Sequence, residues 1–152
     1  MYLGMMSEML GNYHFLIRNY QSAIIELENV QPSSPDYKKA CKKLIICYSQ
    51  TGQLQRAFNL FCALVEEDIN FIIHTDPEKE DCPCPELVTG LEVNSKKNFN
   101  VYELNIELGM LWLYCNAEKS LDYFRRAYQI KRIDARLKSI ITQIESVITH
   151  HN

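Results

Sequence analysis

The chain has 152 residues, 47% of them hydrophobic and 23% charged, with a formal net charge of −3. That length suits one domain able to bury roughly 70% of the surface its unfolded form would expose, and the ordinary composition excludes wholesale disorder. The slight acidic excess argues against a nucleic-acid or anionic-membrane surface, either of which would need clustered Lys and Arg.

Four of the six cysteines (Cys41, Cys47, Cys62 and Cys115) sit among helix-forming apolar residues, which reads as buried thiols rather than a disulfide framework. Residues 1–10 are Met-rich and apolar but carry neither the basic start nor the small-residue cleavage site of a secretory leader. No apolar run reaches the roughly 20 residues of a membrane span. A cytoplasmic protein without a membrane span is the expectation.

In chain order, Leu3, Met6, Leu10, Tyr13 and Ile17 recur with a period near 3.6, predicting an amphipathic helix that turns at Arg18-Asn19. A second helix from Tyr20 to Val30 puts Ala23, Ile24, Leu27 and Val30 on one face, and the small Ala23 permits close helix approach. Ser34-Pro35-Asp36 supplies a cap, a first-turn proline and an acid at the positive end of the next helix dipole. That helix, about Pro35 to Gln50, should stop at Thr51-Gly52, and a fourth should run from Leu54 to Glu67.

The pattern then breaks. Between Asp68 and Asn100 come an apolar start (Phe71, Ile72, Ile73), an acidic run from Asp76 to Asp81, Cys82-Pro83-Cys84-Pro85, and a short helical stretch near Glu86 to Leu91. The segment reads as an irregular insertion or a decayed repeat. Order resumes with the capping-box sequence Asn100-Val101-Tyr102-Glu103, followed by Leu104, Leu108, Leu111 and Cys115. A last helix from Ile133 to His150 carries Leu137, Ile140, Ile141 and Ile144 on one side, the pattern of a terminal cap with one wet face.

Underneath lies a period. Leu10, His14, Tyr20, Ala23, Leu27 and Val30 are each followed 34 residues later by Leu44, Tyr48, Leu54, Ala57, Phe61 and Leu64 (44−10 through 64−30). Leu108-Gly109, Trp112, Ser120 and Phe124 repeat the rhythm with one residue fewer at the turn, since 120−108 is 12 where 23−10 is 13. This pattern resembles the tetratricopeptide repeat (TPR) family. The resemblance implies an all-α chain forming a right-handed TPR-like superhelix. It has three hairpins (about 4–35, 38–71 and 102–132), an insertion at about 72–100 and a capping helix at about 133–150, all in a single domain.

What the resemblance implies about function is a non-enzymatic interaction module that binds a peptide or partner helix in a concave groove lined by the first helix of each hairpin. By position relative to the Leu-Gly pair, the partner-binding residues would be Met5, Asn12, Phe15, Lys39, Lys42, Ile46, Met110 and Leu113. Some family members grip a terminal carboxylate with paired Lys and Asn residues. Here Glu8 stands where such a clamp needs a lysine, so an apolar or amphipathic peptide fits better. The alternative is a homodimer, or larger homo-oligomeric scaffold, packed through the Met-rich first helix (Met1, Met5, Met6, Met9).

A third class, a metal or thiol protein, would use Cys82 and Cys84 with His74 upstream. No second cysteine pair lies at finger spacing, and two prolines account for a stiff loop, so the reading favours no metal and no cofactor. His14 takes the place of Tyr48 and Trp112 and reads as a packing residue, with no nucleophile placed to work with it. No phosphate-cradling loop, nucleophile elbow or zinc-protease helix is present in the sequence.

Overall fold

The structure, a computed structural model, describes residues 2–94, 100–132 and 134–150. Among the described residues it is all-helical: α1 (Tyr2–Leu16), α2 (Tyr20–Leu27), α3 (Tyr37–Gln50), α4 (Leu54–Ile73), α5 (Cys84–Val93), α6 (Val101–Leu113), α7 (Ala117–Ile130) and α8 (Ala135–His150). They fall into two compact units, 1–64 and 65–152.

In the first unit α1 packs on α2, and α2 on α3. The α1–α2 turn is made by Arg18, whose φ of 64° lies in the left-handed region. Asn19 N–H bonds back to the His14 carbonyl at 2.8 Å. Asn19 then caps α2, its side chain accepting from Ser22 N–H at 3.3 Å. Helix α3 begins two residues later than Pro35. Ser34 closes a turn instead, its Oγ taking the Asp36 N–H at 3.2 Å and its carbonyl the Tyr37 N–H at 3.2 Å. At the far end of α3, Gly52 takes φ 75°, the left-handed turn its sequence position called for.

The face that α1 turns inward is not the expected one. Ser7, Gly11 and Phe15 are buried, whereas Met6, Leu10, Tyr13 and Ile17 are exposed. Gly11 is the reason. A Cβ there would lie 2.6 Å from Leu27 Cδ2, so α2 seats against the glycine and draws its neighbours one turn away into the core.

Helix α4 breaks at Asp68, whose φ of −162° and ψ of 83° are not helical. The regular helix therefore ends at Glu67, and a further turn carries the fully buried Ile72. In the second unit, α5 packs on α6, α6 on α7, and α7 on α8. Asn100 and Asn116 cap α6 and α7, accepting from the N–H groups of Glu103 (2.9 Å) and Lys119 (3.0 Å). Gly109 repeats the role of Gly11, since a Cβ there would stand 2.7 Å from Phe124 Cε1. Ser120, wholly buried, donates to the Gly109 carbonyl at 2.6 Å and fastens α7 to α6 at that point. Leu137, Ile140, Ile141 and Ile144 face α7 from α8, and Arg125 reaches Glu145 across the pair at 3.4 Å.

The short helical stretch expected near Glu86 to Leu91 is α5, longer at both ends, and it stands at a spacing of 64 residues from α2, short of two 34-residue periods. Starts of α2 and α5 differ by 64 (84−20), as do those of α3 and α6 (101−37), and the buried Ile24 has its counterpart in the buried Val88 (88−24). The pair α5–α6 restates α2–α3.

Candidate partner-binding surfaces

Of the residues assigned to the groove, Met5 and Lys39 are exposed and Asn12 is half-buried. Phe15, Lys42, Ile46, Met110 and Leu113 are buried. The aliphatic and aromatic members of this set fill the interior and back the helices that a partner would meet.

Between α1 and α3 the side chains form a polar line. Lys43 Nζ donates to Asn12 Oδ1 at 2.7 Å and lies 5.5 Å from the Phe15 ring centroid, so the buried ring underpins a fixed cation. Lys39 pairs with Asp36 at 3.8 Å. Burial, and then a hydrogen bond and charge from Asp36, raise the Glu8 carboxyl above its ordinary value against the pull of Lys39 and Lys43. The line offers one donor-rich end and one acidic end, bordered by the apolar Met5. The sequence-based assignment of groove residues left out Lys43.

A second assembly occurs twice. In the first unit Tyr48 on α3 donates to Glu28 Oε1 at 2.6 Å, Arg56 donates to the same oxygen at 2.8 Å, and the Arg56 guanidinium covers the Tyr48 ring at 4.4 Å. In the second unit Trp112 Nε1 donates to Glu92 Oε1 at 2.9 Å, Tyr123 donates there at 2.7 Å, and Lys119 covers the Trp112 ring at 4.3 Å. Both glutamates lie 20 residues before their aromatic residue (48−28 and 112−92). Burial first, and then the carboxylates, push Tyr48 up, and push Tyr123 up to about 12. These are clasps between neighbouring helices rather than reactive centres, because the shared glutamate Oε1, the aromatic ring and the cation of each are already engaged. The signal that would have found them is that 20-residue interval.

The remaining chemistry is sparse. Among the described residues, no three His, Cys, Asp or Glu side chains converge as a metal-binding set; Cys82 and Cys84 are buried and His74 is exposed. Burial pushes the Cys47 thiol up to about 12, the opposite of what a reactive thiolate needs. Of the four thiols expected to be buried, Cys41 and Cys47 are, whereas Cys62 is half-buried and Cys115, in the α6–α7 turn, is exposed. A cleft of about 390 Å³ between α7 and α8 is lined by Glu118, Asp122, Arg125, Glu145 and Thr149 around Leu121 and Ile148. Among the described residues, no helix is long and apolar enough to cross a membrane. Compared with protein-family models, curated proteins and solved structures, the chain matches none.

Proposed function

We propose that this chain is a non-enzymatic interaction module of TPR type, whose hairpins stack as a right-handed superhelix and which holds a peptide or partner helix along α1 and α3. The observation that carries this reading is the polar line of Glu8, Asn12, Asp36, Lys39 and Lys43 beside the exposed Met5. Such a line gives a ligand polar register with an apolar contact at its edge. The two glutamate-centred clasps and the 64-residue register support the repeat reading that underlies it.

The test is affinity capture from native extract, quantified by mass spectrometry, with wild type against a Met5→Glu, Lys39→Glu double variant. Both side chains are exposed, so the fold should survive where Phe15→Glu or Met110→Glu would collapse it. The expected result is loss of the specifically captured partner, roughly tenfold or more if either position is a hot spot. Capture that both charge changes leave untouched would remove this face from consideration.

A further inference from the structure

The strongest unexplained feature of the surface is the outer face of α1. Met6, Met9, Tyr13 and Leu16 follow one another at spacings of three, four and three residues, with Leu10 and Ile17 beside them. All six are exposed, Met9 to 71% and Tyr13 to 55%. At 100° per residue they cover, with Met5, a contiguous arc of roughly 140°. No charged residue falls within it. Glu8 is turned to the side of α1 that meets Asp36 and Lys43.

The repeat accounts for three of these six residues. Counting 34 residues on, Met6, Leu10 and Tyr13 correspond to Ala40, Leu44 and Cys47 of α3; counting 98 on, to Leu104, Leu108 and Leu111 of α6. All six of those counterparts are buried, in helices that have another helix packed in front of them, α2 on α3 and α5 on α6. Helix α1 presents the same face with no helix of its unit against it. His14, the counterpart of Tyr48 and Trp112, correspondingly has a buried Nδ1 with no hydrogen-bond partner, where the other two reach a glutamate from the preceding helix.

We infer that this face pairs with the same face of a second copy, α1 against α1, to form a homodimer. Three observations favour a second copy as occupant. The 3-4-3 spacing is the seam that two helices interlock along, each side chain entering a hole formed by four of the other. The seam carries no charge to select a partner of opposite sign, so it faces itself without like-charge repulsion. Its extent reaches the lower end of what stable interfaces bury: six side chains at least two-fifths exposed, on the order of 100 Å² each, give roughly 600 Å² per copy before the rim is counted, against about 600–1,000 Å² per partner. The methionines supply side chains that adapt to a repeated, imperfectly matched surface.

Sedimentation velocity of the full chain, from low micromolar to several hundred micromolar, tests the inference. Wild type should shift from monomer to dimer with concentration. Met9→Lys and Tyr13→Lys, each introducing a cation into the seam, should weaken the dimer by at least about tenfold while leaving far-UV circular dichroism unchanged. Ile25→Lys, an equally exposed apolar site on α2 outside the seam, should leave the dimer intact. A wild-type chain that is monomeric throughout would overturn the inference, and so would a dimer that survives both seam lysines.

Discussion

Glu107 carries a carboxyl that the fold holds mostly out of water, one turn from the negative charge of Glu103. Burial first, and then that charge, push it up to about 7 from an ordinary 4.5. Below 4.5 the group is neutral in folded and unfolded chain alike, and its contribution to stability is intact. Between 4.5 and 7 the unfolded chain gives up the proton while the folded chain keeps it, so stability falls as pH rises, by about 1.4 kcal/mol per unit, and levels off above 7. Glu107→Gln should therefore stabilise the protein at pH 8 by on the order of 3 kcal/mol and change little at pH 4. Urea titrations of both proteins at the two pH values measure the difference, and equal gaps at both would refute it. Gly109 makes a steric counterpart to this electrostatic case. A methyl there meets the Phe124 ring at 2.7–2.9 Å, in a core where Phe124 is fully buried. Overpacking of this kind costs about 1–3 kcal/mol, against a helix-propensity gain of about 1. Gly109→Ala should lower the thermal midpoint, and a variant as stable as wild type would mean that α7 moves freely away from α6.

Among elements, α5 shows how much and how little of the fold is written in residue identity. The echo between residues 10–30 and 44–64 is legible because a leucine, a ring, an alanine and a large apolar residue recur at fixed offsets. In α5 those marks have gone: Leu87 stands where Ala23 does and Asn94 where Val30 does. What persists is the interval from Glu92 to Trp112, a polar relation that an apolar template does not see. The inward face of α1 was illegible for a different reason. The apolar period marks the outward face, while the inward one carries Ser7, Gly11 and Phe15, and the choice rests on Gly11 and Leu27, a contact between helices. The clasp in the second unit lends itself to dissection. Glu92→Ala strips the partner from Trp112 and Tyr123 together and should cost about 2–3 kcal/mol, while Glu92→Gln keeps an acceptor and should recover about half. Because the carboxylate helps to raise Tyr123, Glu92→Gln should also bring one tyrosine ionisation to lower pH, visible in tyrosinate absorbance. Identical titrations of variant and wild type would show that burial alone sets the value.

For the molecule as a whole, charge separates the two modes of association advanced here. A partner held through Lys39, Lys43 and the acids beside them should bind more weakly as salt rises, since the Debye length shrinks from about 10 Å at 0.1 M to 3 Å at 1 M. Pairing through the uncharged seam of α1 should be indifferent to salt, or tightened by sulfate. Sedimentation and partner capture repeated across the same salt series distinguish the two, and a dimer dissolved by sodium chloride would contradict an apolar seam.

The clasp around Trp112 also has an optical consequence. Trp112 is the chain's single tryptophan and belongs to the second unit. Its emission therefore reports from within the unit of residues 65–152, whereas circular dichroism weighs the helices of both units. Any gap between the two signals along a melting curve would time one half of the protein against the other, with no label attached.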